Sequence, residues 1–534
     1  MAFLRAMAGI VAAALVLGVA ELVAVFTGSG SAPAYALGAT VVDRTPDGVR
    51  EWAIATFGTS DKAVLFACMG IVAVVVAAIA GYLERAARPI GSVVFAIFGV
   101  VAAVVGAGRV GGFAGALPAL IGTAAGILAL RGLTRRIDDA SDSLRPATEP
   151  AAPPLGEATA APDVGGEESL IRTSASIAGA GRRRVLGGIA ATGVLALGAG
   201  LAGRLLSGAR HDVTAERETV ELPRATAPLP DLPPDADLRV PGLTSYITPN
   251  SDFYRIDTAL IVPQVSTDSW SLRIHGMVDQ EITLTWDDLL RRTPVERLVT
   301  LACVSNPING DLIGNARWLG YRLDELLAEA RPHPDADMVL SHSKDGWTAG
   351  SPLSVLMDGR NALLAIGMNG EPLPVQHGYP ARLVVPGLYG YVSATKWVTE
   401  LEVTRFDRAT AYWTRRGWSA QGPIKTGTRI DTPRGRGRIP QGRTVIAGVA
   451  WAQHRGVTGV EVQVDNGDWR PARLSTEVTV DTWRQWTYDW EATPGQHTLR
   501  ARTTDTTGQP QTAVEQDVVP DGATGYPTLT IQVN

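Results

Sequence analysis

With 534 residues the chain has room for several domains, and a net charge of −5 excludes the basic footprint of a nucleic-acid binder. Hydrophobic residues make up 46% of the chain, and this excess is concentrated before residue 210. The two cysteines, Cys68 and Cys303, exclude a disulfide framework, because Cys68 lies inside an apolar run.

Residues 7–26, 63–83, 90–107 and 111–130 are nearly uncharged, and each run can cross roughly 30 Å of hydrocarbon as a helix. Glu21 is the exception in the first run. A fifth run, 185–206, carries Arg204 near its end. Arg5, Arg85, Arg88, Arg131, Arg135 and Arg136 fall on one side of such an arrangement, which puts the N-terminus in the cytoplasm. The fifth span then carries everything after about residue 210 outside. Between the fourth and fifth spans, residues 138–173 are rich in Ala, Pro, Glu and Ser and read as a disordered linker. None of the seven histidines lies in a span, so haem held between these helices is not expected.

The stretch 212–237 is Pro-rich and charged and reads as a spacer. Residues 246–263, YITPNSDFYRIDTALIVP, combine turn residues with an aromatic pair, as in a loop packed on a core. The segment 298–327, LVTLACVSNPINGDLIGNARWLGYRLDELL, opens with an apolar, β-branched strand that delivers Cys303 at its end. After a loop and Trp318, Leu323, Leu326 and Leu327 follow at helical spacing. A lone thiol on such an edge suits a buried small hydrophobe, a nucleophile or a metal ligand. A second dense block, 368–397, reads MNGEPLPVQHGYPARLVVPGLYGYVSATKW. Its Gly and Pro content indicates tight turns around a short buried strand from Arg382, and His377 alone reads as a core histidine. From Thr444, short alternating strands separated by turn signals indicate a β-sandwich, with Trp469, Trp483, Trp486 and Trp490 as core or interface.

These motifs resemble the molybdopterin-binding core of the sulfite oxidase family. The resemblance rests on Cys303 and Asn306, on W-x-G-x-x-L at Trp318, Gly320 and Leu323, and on N-x-x-F-Y at Asn250, Phe253 and Tyr254. It continues in H-G-x-P-x-R from His377 to Arg382, then V-V-P-G, Y-G and K-W. It implies that the Cys303 thiolate binds molybdenum beside the pterin dithiolene, a soft ligand suited to the metal. It also implies that Asn250, Phe253, Tyr254, Asn306, Thr348, His377, Arg382, Ser393, Thr395 and Lys396 meet the cofactor, with Tyr389 a weaker candidate. Arg255 and Arg416 are carried over as catalytic residues facing the substrate. The chain departs from the sulfite oxidase pattern at Pro307 and Ile308, where an arginine is expected, and at Thr348, where a tyrosine is expected.

The expected fold is about five transmembrane α-helices, then an α+β, mainly β, molybdopterin domain and a C-terminal Ig-like β-sandwich. The expected boundaries are 1–135 for four spans, 136–181 for the cytoplasmic linker, 182–208 for the fifth span, 209–240 for the spacer, 241–408 for the catalytic domain and 409–534 for an Ig-like dimerisation domain. Arg182, Arg183 and Arg184 read either as positive-inside charge or as an internal twin-arginine signal. Export of a domain folded around a cytoplasmically made cofactor favours the signal. The expected activity is two-electron oxygen-atom transfer on a small sulfur- or nitrogen-containing substrate outside the membrane. With no C-x-x-C-H motif, electrons pass to or from a separate carrier, a cytochrome or a quinone-linked membrane protein, and a homodimer is expected. The rival reading is a non-enzymatic anchored binding module that kept the fold without the metal.

Overall fold

A computed structural model describes residues 1–57, 61–110, 112–142, 167–226 and 228–534. The chain divides into two compact units, Met1–Asp212 and Val213–Asn534.

The first unit is helical: α1 (Ala2–Thr27), α2 (Pro33–Arg44), α3 (Asp47–Phe57), α4 (Asp61–Leu83), α5 (Ile90–Val110), α6 (Leu117–Asp142) and α7 (Glu167–His211). Five stretches, Ala2–Thr27, Lys62–Leu83, Ile90–Arg109, Phe113–Ser141 and Arg183–Gly208, are long and apolar enough to cross a membrane. Helix α1 is central, and glycine lets its neighbours approach. A Cβ on Gly9 would lie 2.8 Å from the Gly81 backbone of α4, and one on Gly18 would lie 2.3 Å from Ala196 O of α7. Arg5 at the start of α1 donates to Glu84 O at the end of α4 (3.0 Å) and pairs with Asp138 near the end of α6. The buried Glu84 carboxylate accepts from Ser92 N (2.9 Å) and Ser92 Oγ (2.7 Å) at the start of α5. These polar ties gather helix ends at one end of the bundle, as successive crossings require.

One sequence expectation changes in this unit, and the stretch between the first two runs gains structure. The loop between the first two spans holds α2 and α3, with Pro33 at the first turn of α2, where its missing N–H costs nothing. The linker expected over 136–181 contracts from both sides, because α6 runs to Asp142 and α7 begins at Glu167. Residues 143–166 of that linker lie outside the described residues.

The second unit opens with a short helix, α8 (Thr214–Thr219), inside the stretch read as a spacer. Rather than standing free, it is packed, because Val213 is buried and Arg217 finds backbone acceptors in the domain. One sheet runs β2 (Ile282–Thr285), β1 (Ser271–Gly276), β10 (Val398–Thr404), β5 (Met338–Ser343) and β6 (Thr348–Pro352). It is antiparallel except for the β1–β10 pair. A second sheet runs β3 (Val295–Ala302), β4 (Ile313–Arg322), β7 (Leu363–Met368) and β8 (Glu371–Pro372), with β9 (Arg382–Val384) paired to β7. Short helices α9 (Trp286–Leu290), α10 (Leu323–Ala330), α11 (Leu353–Met357) and α12 (Gly390–Ser393) connect these strands. Helix α9 is started by a capping box between Thr285 and Asp288. Leu323, Leu326 and Leu327 of α10 are buried, as their spacing predicts.

The C-terminal part has two facing sheets. One is β11 (Gly427–Thr432), β13 (Gly442–Trp451), β17 (Arg484–Ala492) and β16 (Arg473–Leu474). The other is β12 (Arg438–Ile439), β19 (Thr528–Val533), β18 (Gly495–Asp505), β14 (Val457–Val464) and β15 (Arg470–Pro471). Ile430, Ile446 and Trp486 from the first share a core with Val460, Val462, Leu499 and Ile531 from the second. Trp483 instead joins the large core of the preceding domain, and its Nε1 donates to Tyr246 O (2.9 Å).

Candidate active site

Strand β3 reaches the site with side chains alternating between two cores. Val299 and Leu301 pack with Trp318 and Phe253, while Ala302 belongs to the other cluster. Thr300 is held from all sides. Its N–H donates to Asp481 O (3.0 Å), its hydroxyl donates to Asn315 Oδ1 (3.0 Å) and accepts from Trp483 N (2.9 Å), and its carbonyl accepts from Gln453 Nε2 (3.3 Å). The residues after the strand are therefore presented by a rigid element.

Cys303 follows β3 directly and is buried. Its N–H donates to Leu312 O (2.9 Å), and the Asn306 carboxamide oxygen accepts from Leu312 N (3.0 Å). Asn306 thus closes the loop onto itself. Gly310 has to be glycine here, since a Cβ would lie 2.3 Å from Asn306 Oδ1. From the C-terminal sheets, Arg429 Nη1 donates to Gly310 O (3.1 Å) and Ile430 N donates to Asn309 Oδ1 (2.8 Å). Burial pushes the Cys303 thiol above its ordinary range, partly offset by hydrogen bonds from Ser305. Burial likewise raises the Tyr254 and Tyr389 phenols, Tyr389 to about 12, and the negative charge of a Cys303 thiolate raises both further.

Tyr254, which feels both Cys303 and Arg382, leads from the thiol to a cluster of cations. Arg382, the first residue of β9, is buried with its guanidinium 5.1 Å above the Trp318 ring. It donates to His377 O (3.0 Å), Ala394 O (3.4 Å) and Leu383 O (3.4 Å), and burial lowers it to about 10. Lys396 donates to Asp257 Oδ2 (2.7 Å) and to Gln376 O (3.2 Å). Burial brings it down to about 8, with Asp257 opposing that shift and Arg382 and Arg255 adding to it. Arg255 Nε donates to the same Asp257 oxygen (2.8 Å). His377, buried and packed edge-on against Phe253 at 5.7 Å, is lowered to about 4 by burial and by Arg382, Lys396 and Arg255. It is neutral at pH 7, with Nε2 3.3 Å from Asn250 O. Phe253 also stacks on Tyr254 at 5.2 Å and meets Trp318 edge-on at 5.8 Å. Gly378, at φ 114°, lets the loop close; a Cβ there would lie 3.0 Å from Arg382 Cβ and 3.1 Å from Lys396 Cα.

The structure thus brings Asn250, Phe253, Tyr254, Arg255, His377, Arg382 and Lys396 into one cluster, to which the Cys303 strand end is adjacent. Thr348 and Arg416 form a second group through Tyr412. Tyr412 N donates to Thr348 Oγ1 (3.0 Å), and Arg416 Nη1 donates to Tyr412 O (2.8 Å) with its guanidinium 3.6 Å over the Tyr412 ring. Three of the residues expected at the cofactor also make hydrogen bonds within the protein. The Ser393 hydroxyl donates to Tyr389 O (2.9 Å) and Leu388 O (3.2 Å), and that of Thr395 bonds Ser341 Oγ (2.6 Å). The Asn306 oxygen serves its own loop. Ser393 and Asn306 thereby satisfy backbone groups of the α12 turn and of the Cys303 loop.

Sequence reasoning missed Asp257, the carboxylate shared by Arg255 and Lys396, and the role of Trp318 as a platform for Arg382. The Arg255–Asp257 spacing, two residues apart on an extended segment, was the available signal for the first. Among the described residues no three His, Cys, Asp or Glu side chains converge.

A family model described as an oxidoreductase molybdopterin binding domain matches residues 259–413. This match defines the class: a molybdopterin-binding oxidoreductase. Mitochondrial sulfite oxidase of Rattus norvegicus is 31% identical over 276 residues, which cover 44% of this chain and 50% of the relative. The uncharacterized oxidoreductase YuiH of Bacillus subtilis (strain 168) is 31% identical over 153 residues, 29% of this chain and 74% of the relative. The crystal structure of the sulfane dehydrogenase SoxCD from Paracoccus pantotrophus aligns with TM-score 0.48 and 24% identity over 54% of this chain and 82% of that one. The chain belongs to the sulfite oxidase family of molybdopterin oxidoreductases. It spans about half the length of the curated sulfite oxidases it matches.

Proposed function

We propose that the chain is a membrane-anchored molybdenum–pterin oxidoreductase in which Cys303 is the protein ligand to the metal. The observation that carries this reading is a set of three cations, Arg382, Lys396 and Arg255, around a neutral histidine, joined to the buried thiol at the end of β3 through Tyr254, on which both Cys303 and Arg382 act. Two of those cations are buried, and the carboxylate that meets Lys396 and Arg255 is Asp257. Such a cluster suits an anionic phosphate, and the donors present fit the pterin cofactor.

When bound, the cofactor would supply two-electron oxygen-atom transfer. The protein's share is binding and orientation. Arg382, Lys396 and backbone amides of the 378–396 loop would hold the phosphate, and His377 and Asn250 would face the pterin. Phe253 and Tyr254 would wall off water, and Arg255 and Arg416 would orient a polar or anionic substrate. Pro307 and Ile308 where an arginine is expected, and Thr348 in place of a tyrosine, support a substrate less anionic than sulfite, such as an S- or N-oxide. We further propose that the apolar stretches anchor the chain with its second unit outside, exported by the Arg182–Arg184 twin-arginine route, and that a separate carrier exchanges electrons with it. The C-terminal sheets would form an Ig-like dimerisation domain.

Molybdenum and pterin content of the detergent-purified chain, alongside Cys303→Ser, tests the reading. About one molybdenum per chain, with the Ser variant keeping pterin but losing the metal's normal spectrum and turnover, is expected. No molybdenum in protein matured in a competent host would refute it and favour a binding module that kept the fold.

A further inference from the structure

Helix α8 lies outside the family match, yet two of its adjacent side chains grip both ends of the segment that carries His377. Glu216 Oε1 accepts from Thr267 N (2.7 Å), Thr267 Oγ1 (2.8 Å) and the Tyr379 hydroxyl (2.8 Å). These hydrogen bonds hold the Glu216 carboxyl below its usual range against the opposing effect of burial. Arg217 Nε donates to Leu373 O (2.8 Å), Nη2 donates to Pro372 O (2.5 Å), and the guanidinium pairs with Glu371 at 2.9 Å. Residues 371–379 are thus fastened at one end by Arg217 and at the other by Glu216.

The tie runs on into the site. The Asn250 amide nitrogen donates to Glu371 Oε1 and to Met368 O, and its oxygen accepts from Asn369 Nδ2 (2.8 Å). The Asn250 carbonyl lies 3.3 Å from His377 Nε2. Within the fastened segment, the Gln376 carbonyl accepts from Lys396, and Gly378 packs against Arg382 and Lys396. Tyr379 and Leu373 are fully buried, so the segment has no freedom to settle elsewhere once both ends are held.

We infer that Glu216 and Arg217 are positioning residues for the cofactor site: from α8 they set the segment that presents His377 to the pterin and that orients Lys396 through Gln376 O and Gly378. This rests on the proposed reading of the cluster as that site. Their partners act one step removed from the ligand, and such outer partners commonly change ligand retention by roughly 10- to 100-fold when removed.

The experiment uses the full chain in detergent, wild type against Arg217→Ala, Arg217→Lys and Arg292→Ala. Arg292 pairs with Glu329 elsewhere in the same unit, so its variant controls for loss of an ion pair as such. Two quantities are read: the rate at which molybdenum and pterin are lost from loaded protein well below its melting temperature, and amide exchange at His377 and Gly378 in cofactor-free protein. Arg217→Ala is expected to speed both by about 10-fold, with partial rescue by Arg217→Lys and no change for Arg292→Ala. Should Arg217→Ala not accumulate, Arg217→Gln and Glu216→Gln carry the same comparison. Unchanged retention and exchange in the Arg217 variants, or equal effects from Arg292→Ala, would overturn the inference. A wild type that binds no molybdenum would instead sink the cofactor reading, while the exchange measurement would still decide whether α8 orders the segment.

Discussion

Lys396→Met separates what the cofactor cluster does for binding from what it does to the fold. The Lys396 ammonium is nine-tenths buried and held at about 8 instead of the ordinary 10.5, even with Asp257 at 2.7 Å. That depression corresponds to roughly 3 kcal/mol of penalty for carrying the charge in the folded, cofactor-free protein. The folded-state value lies below the unfolded one, so between about pH 8 and 10.5 the unfolded chain binds more protons and stability rises with pH. Below that window the whole penalty is present; above it the amine is neutral in both states and the penalty is gone. Lys396→Met removes the charge at every pH. Cofactor-free variant is therefore expected to be more stable than wild type at pH 7, by at most about 3 kcal/mol less roughly 1 for the lost hydrogen bonds, with the advantage lost through the window and reversed to about 1 kcal/mol above pH 10.5. Pterin content is expected to fall at least about 10-fold, because an anionic ligand loses its buried counter-charge. Guanidinium unfolding followed by tryptophan emission reports on the right unit, since of thirteen tryptophans Trp52 alone precedes Val213. A stability difference that does not change with pH, or a variant less stable than wild type at pH 7, would refute the electrostatic argument.

Arg382→Met is expected to leave the cofactor-free fold within about 2 kcal/mol of wild type, as removal of a buried charge offsets the loss of a donor to three carbonyls. Pterin content should nevertheless drop sharply, measured on the same preparations; full retention would remove Arg382 from the site. Gly378→Ala combines a left-handed backbone with contacts of 3.0–3.1 Å, whereas Gly442→Ala has a similar φ of 107° and open space. Thermal unfolding should show both losing about 1–3 kcal/mol from backbone strain, with a further loss and reduced pterin for Gly378→Ala alone. Equal behaviour of the two would mean that close packing of Gly378 on Arg382 and Lys396 is unimportant.

Much of this protein was legible in the order of its residues. Runs of uncharged residues the length of a bilayer identify the five long helices because hydrophobic length is a local property. Strand β3, the leucine face of α10 and the short C-terminal strands follow from periodicity alone. Cys303, His377, Arg382 and Lys396 stand out because motif spacing preserves the loops that carry them. What depends on tertiary structure is which polar group meets which. Asn306 and Ser393 also serve the backbone of their own turns, and Thr395 bonds Ser341 54 residues away, since buried polar groups need partners inside the protein. Asp257 becomes part of the cluster only when a lysine 139 residues away folds onto it. The stretch read as a spacer is instead packed, because Glu216 and Arg217 find their acceptors and donors in segments that sequence distance hides. Local pattern dictates elements; the neutralisation of buried charge and the pairing of buried polar groups are decided by packing, where distant residues share one desolvated volume.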